Sequence, residues 1–246
     1  MTDTVAAQSP AIPAPQSLPA RALGVLMSPR AAYAGVAARP RWFGALALVV
    51  VVSMACVFTF LSTDVGKDAL LDQQSRQVEA FSGHPMTDAQ YDRMQQMLPY
   101  SKYFAAGAQL VTLPLSALIV AGLCFAVFTA LLGGDGTFKQ TFSVVVHSGM
   151  VLGLAQLFMT PLNYVRQTMS SATSLVVFAP FLDDASFAAR VLGSIDLFVL
   201  WWAISLAIGL GVLYRKRTGP IAITLIVVYV TIGIVIAAFK SAVAGA

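Results

Sequence analysis

Apolar residues fall along this chain in five long runs, at about 42–62, 104–132, 141–160, 195–214 and 221–239, separated by short polar stretches. Each run meets the roughly 17–25 residues that a helix needs to cross a bilayer. At about 1.5 Å per residue each reaches roughly 28 Å or more. Backbone amides in lipid must be paired inside a helix or a closed barrel. The period-two alternation of a barrel strand is missing here. The pattern therefore predicts an all-α membrane protein, a compact bundle of five transmembrane helices. Pro114 is expected to kink the second helix and Pro161 to stop the third.

The polar stretches organise the remainder. Residues 1–20 hold four prolines and little that could pack, and are expected to form a disordered cytoplasmic tail. They lack a charged start followed by an apolar core, so no cleavable signal peptide is expected. Residues 21–41 mix Leu23, Val25, Leu26 and Met27 with arginines. Ser28 can cap a helix that has Pro29 at its first position. This segment reads as a short interfacial helix, its arginines toward the headgroups. Residues 63–103 form the only sizeable loop. Gly83-His84-Pro85 breaks it into two short helices, and Thr87 with Gln90 has the spacing of a capping box. The loop is too small for an independent catalytic domain. Gly133-Gly134-Asp135-Gly136-Thr137 reads as a tight turn, with Thr137 capping the third span.

Composition supports the membrane reading. The 246 residues are 58% hydrophobic and 11% charged, with a mean hydropathy of +0.78. A soluble domain is typically about a quarter charged. The net charge of +4 does not point to nucleic acid, because the cations stand in small groups beside apolar runs. Arg39 and Arg41 precede the first span, and Arg215, Lys216 and Arg217 join the fourth to the fifth. Arg21, Arg30 and Lys139 fall on the same side, opposed by Asp3 and Asp135. Cations clustered at span ends mark the cytoplasmic face. The N-terminus is expected in the cytoplasm and the C-terminus outside, in a bacterial cytoplasmic (inner) membrane. The same cations can meet anionic lipid headgroups. Cys56 and Cys124 both lie in apolar runs, where a disulfide or zinc site is not expected.

Few residues could carry chemistry. His147 lies in the third span with Gln156 beyond it, Gln109 is near the start of the second, and Asp196 opens the fourth. Ionisable groups in spans are functional candidates by default. Asp196 can instead cap its helix, where the positive end of the helix dipole favours a carboxylate. His147 and Asp196 are counted from opposite faces, so a direct pair is not expected. His84, in the loop, is expected to be solvated. No metalloprotease, nucleophile-elbow or phosphate-loop motif occurs, and no catalytic residue, metal or cofactor is expected. Small residues recur at four-residue spacing: Gly149 with Gly153, Ser205 with Gly209, and Gly233 with Ala237. Such pairs let helix backbones approach closely.

Three stretches carry a family resemblance: Ser28-Pro29-Arg30, then Gly136-Thr137-Phe138-Lys139-Gln140, and Asp196-Leu197-Phe198-Val199-Leu200-Trp201-Trp202. Over about residues 22–240 the chain resembles the bacterial branch of the Yip (Ypt/Rab-interacting protein) family. That resemblance implies a five-span fold with a cytoplasmic N-terminus and no assigned reaction. Eukaryotic members act in membrane traffic and interact with prenylated small GTPases. Their Asp-Leu-Tyr-Gly-Pro motif is absent from this chain, so GTPase binding is not carried over. The expected function is a non-catalytic scaffold for lipids, partner membrane proteins or copies of itself. The alternative is a small transporter or channel with a polar path near His147, Gln156 and Asp196.

The charge distribution generates one test. Alkaline phosphatase fused after residue 246 should be active in cells, and a fluorescent reporter at the same point dark. The reverse pattern would overturn the expected orientation.

Overall fold

A computed structural model describes residues 17–183 and 186–244. The chain forms ten α-helices among those residues: α1 Leu18–Met27, α2 Pro29–Ala38, α3 Phe43–Leu61, α4 Asp64–Ser82, α5 Asp88–Phe125, α6 Phe138–Ser148, α7 Met150–Arg166, α8 Phe187–Gly193, α9 Leu197–Leu213 and α10 Thr218–Ala244. There is no sheet among the described residues. A single isolated bridge pairs Ser174 with Asp196.

Local sequence explains where these helices begin. Thr87 and Gln90 close a reciprocal capping box at α5, with Gln90 N donating to Thr87 Oγ1 at 3.4 Å and Thr87 N to Gln90 Oε1 at 3.0 Å. Thr137 and Gln140 repeat the device at α6. Two orphan amides are satisfied each time. The Gln140 amide then donates to the Ala37 carbonyl at 2.9 Å, which ties α6 to α2. Gly83 ends α4 in the left-handed conformation that glycine adopts without strain. Pro29 is the first residue of α2, although the Ser28 side chain makes no capping bond.

Several boundaries differ from the sequence expectation. Helix α1 begins at Leu18, inside the stretch expected to be an unstructured tail; residues 1–16 lie outside the described residues. The segment before the first span forms two helices, not one. The second loop helix and the second span are one rod, since α5 runs unbroken through Pro99 and Pro114 and continues as a π-helical turn over Ala126–Leu131. Proline is tolerated in a membrane helix where the freed carbonyls find other partners. Pro161 does not stop the third span, because α7 continues to Arg166. Gly149 marks the join of α6 and α7, where the backbone stays right-handed and Gly149 N still donates to Val145 O at 3.1 Å.

Among the described residues, four helical stretches are long and apolar enough to cross a membrane: Phe43–Leu61, Asp88–Leu131, Phe138–Arg166 and Thr218–Phe239. Helix α9 is as apolar but has 17 residues, about 25 Å of rise. Its surroundings explain the short length. The chain enters it from a short backbone pairing, in which Leu175 N donates to Ile195 O at 2.8 Å and Leu197 N to Thr173 O at 3.0 Å.

In the bundle, α3 packs on α5 and α7, while α9 packs on α2, α6 and α10. Leu206 and Leu210 of α9, Val144 of α6, and Tyr33 and Val36 of α2 are essentially inaccessible. Helix α2 is thus part of the core as well as the layer before the first span. Large apolar side chains cover the outside. Val111, Leu123, Ile223 and Val235 are 62–65% exposed. So much continuous apolar surface suits lipid, not water.

Gly209 is one of several glycines at a close approach, and the one that brings α9 against both α6 and α2. A methyl group there would meet Val144 Cγ1 at 2.5 Å and the Tyr33 ring at 3.0 Å. At Gly153 the nearest atom, Val49 Cγ2, would be 3.7 Å away, an ordinary contact. Gly209→Ala should therefore destabilise the bundle by about 1–3 kcal/mol through overpacking. Gly153→Ala should be neutral or stabilising, because alanine is the better helix former. Unfolding in mixed detergent micelles measures both. Equal effects would refute the close contact at Gly209.

Candidate functional site

Helix α9 starts at a half-buried site, and its first amides need acceptors. Asp196 supplies them. Its Oδ1 accepts from Phe198 N at 2.8 Å and Val199 N at 3.3 Å. Its Oδ2 accepts from Thr173 Oγ1 at 2.7 Å and from the Ser171 hydroxyl. The backbone at this point is held from α10: Tyr229 accepts from Asp196 N at 3.0 Å and donates to Ser194 O at 2.7 Å. Asp196 is thus both helix cap and inter-segment clasp. The capping role follows from sequence. Ser171, Thr173 and Tyr229 were not foreseen as its partners. The hydroxyl-rich run Ser170-Ser171-Ala172-Thr173-Ser174 was the visible signal for the first two, and nothing local marked Tyr229.

Next to this clasp lies a cavity of about 570 Å³ between α3, α5, α7 and α9. Gln109, Gln156 and Asp196, three of the four polar candidates, line it. Asn163, Ser171 and Thr173 join them, while Leu46, Val49, Leu113 and Trp202 line it with apolar surface. Neither glutamine side chain hydrogen-bonds another described residue. Asn163 Oδ1 is buried without a protein partner. The cavity thus offers free amide groups within apolar walls.

The fourth candidate, His147, does not line this cavity. It is fully buried in α6, with Nδ1 2.7 Å from the Ser143 carbonyl and Nε2 3.3 Å from Arg21 Nη1. A guanidinium only donates, and a carbonyl only accepts. These partners assign the proton to Nδ1 and leave Nε2 as the acceptor. Arg21 Nη1 also donates to the Arg41 carbonyl at 3.0 Å. One side chain therefore links α1, α6 and the entry to α3. This corrects the expectation that the arginines of residues 21–41 all face headgroups: Arg21 turns inward. His147 and Asp196 do not pair, as their positions implied.

The packing residues and the surface cations fall in separate places. Ser205 shares a 2.7 Å hydrogen bond with Tyr33. Gly233 packs against Ser194, and Ala237 is buried. Gly149 lines the cavity at the join of α6 and α7. Arg39, Arg41, Arg215, Lys216 and Arg217 are exposed at the end of the bundle occupied by α1 and α2. Cys56 and Cys124 are buried free thiols. In the exposed loop, Lys67 bonds Asp64 at 2.8 Å and holds its carboxyl below the usual range.

Apolar membrane-length helices and a largely apolar exterior define an all-α integral membrane protein. The Yip1 domain model matches residues 23–239, and the chain belongs to that family. No curated protein and no solved structure matches the chain.

The clasp generates a graded stability series. Asp196→Ala removes a cap worth about 0.5–2 kcal/mol and two hydroxyl bonds to a charged acceptor. It should lower stability by about 2–4 kcal/mol. Asp196→Asn should cost roughly half as much, since asparagine caps nearly as well. Unfolding titrations in detergent read both variants. Wild-type stability in Asp196→Ala would show that the clasp is not what anchors α9.

Proposed function

We propose that this protein is a non-catalytic scaffold of a bacterial cytoplasmic membrane, organising lipids, partner membrane proteins or copies of itself. Its N-terminus and arginine-rich face lie in the cytoplasm, and five spans, with α9 as the fourth, carry the C-terminus outside. One observation supports this reading above the others: the ionisable groups inside the bundle are bonded to the fold itself. Four donors converge on Asp196. His147 is held between Ser143 and Arg21. A group that relays protons or performs catalysis needs a free site for its substrate. Partner recognition falls to the exposed cations, the apolar exterior and the loop helix α4.

A second reading has its own support. The free amides of Gln109 and Gln156 and the Asp196 carboxylate share the cavity between α3, α5, α7 and α9. A small polar solute could occupy it on a transport path. That path excludes His147, which the sequence alone had grouped with the others.

Reconstituted liposomes separate the two. Purified protein should leave proton and potassium flux at the level of empty vesicles between pH 5 and 8. His147→Ala and Asp196→Asn should lower stability without changing that baseline. Protein-dependent flux that Asp196→Asn or Gln156→Ala abolishes would favour the transport reading and remove the scaffold.

A further inference from the structure

The end of the bundle formed by α1 and α2 holds another concavity, of about 630 Å³. Arg30, Arg215, Lys216, Arg217, Thr218 and Gly219 line it. Arg30 comes from the first turn of α2, and the other three cations from the turn joining α9 to α10. All four are exposed. The ion pairs Lys67–Asp64 and Arg76–Asp72 both lie on α4. Among the described residues no carboxylate pairs with any of these four cations.

Backbone and side-chain contacts hold the turn. Tyr214 N donates to Leu210 O at 2.9 Å and Lys216 N to Gly211 O at 3.0 Å, closing the end of α9. The Tyr214 hydroxyl bonds Thr141 at 2.7 Å, and its ring stacks on Phe128 at 5.0 Å. Arg215 then takes the left-handed conformation, with φ 53°, a position at which glycine is the usual residue. The sequence accepts that local cost to place a charge there. Four like charges around one concavity repel one another, and an anion between them relieves the repulsion. Guanidinium forks match phosphate oxygens in bidentate fashion, and Lys216 adds a point charge. The cations carry this argument. The first turn of α10, which contains no acid, and the Thr218 hydroxyl add donors.

We propose that this pocket binds a phosphate-bearing anion. Its place at the joined ends of two apolar helices favours the headgroup phosphate of an anionic glycerophospholipid as the source. The proposal rests on the lipid-organising part of the scaffold reading and specifies its ligand.

Native mass spectrometry of the full chain in detergent, titrated with phosphatidylglycerol or phosphatidylcholine, tests it. Phosphatidylglycerol should bind preferentially. Arg215→Gly keeps the left-handed turn and deletes a charge, and it should weaken that binding about fivefold, as should Arg30→Gln. Arg39→Gln removes the same charge outside the pocket and should change binding less than about twofold. Displacement by millimolar inorganic phosphate would show that free phosphate also fits. Binding that resists phosphate but falls in Arg215→Gly assigns the site to the lipid. Equal losses in Arg39→Gln and Arg215→Gly, or no loss in either, would overturn the pocket and leave lipid organisation standing. Equal binding of both lipids by the unaltered chain would overturn both.

Discussion

A helix that starts at a half-buried site gains from acceptors for its first amides, and in this protein one carboxylate provides them. Asp196 takes two backbone amides of α9 on one oxygen and two hydroxyls of the preceding segment on the other. Tyr229 of α10 holds the backbone beside it. An unpaired amide in lipid costs several kcal/mol, and an unpaired carboxylate costs more. The two needs cancel at one point. The start of α9, the short pairing of residues 173–175 with 195–197, and Tyr229 of α10 all meet at that point.

The opposite end of the bundle uses another device. There, Arg21 enters the fold and finds the Nε2 lone pair of His147 and the carbonyl of Arg41. The pre-span helices are therefore fastened by polar contacts as well as by Val25, Tyr33 and Val36. Tyr33 itself bonds Ser205 of α9, and Tyr214 bonds Thr141 of α6. Tyrosine hydroxyls meeting small hydroxyl residues recur through this core. Each satisfies two polar groups with one bond, which suits an apolar interior where leftover donors are costly.

These arrangements also separate roles that looked alike. His147 and Asp196 are both ionisable groups in apolar runs. One is locked beside α1 and α2, and the other borders the cavity shared with Gln109 and Gln156. The arginines divide similarly: Arg21 is structural, while Arg30 and the Arg215–Arg217 turn present unpaired charge. Yip1 family membership covers both ends of the bundle. It fixes the kind of protein without assigning these roles.

Hydropathy alone determined that the chain is an all-α membrane protein, because run length and scarce charge are properties of the residues themselves. Capping signals were equally local, and so Thr87, Thr137 and Asp196 each start a helix as their spacing implies. The stops were less legible. Proline was expected to end the third span, yet the helix runs past Pro161 to Arg166, since neighbouring groups can satisfy what a proline leaves unpaired. Only the tertiary structure decided that Gln109, Gln156 and Asp196 share a cavity, that His147 does not, and that Arg21 points inward. Those facts depend on the rotation of each helix about its axis. That rotation is set by close approaches such as Gly209 on Val144 and Tyr33, and an apolar run with lipid on one side and protein on the other carries little sign of it.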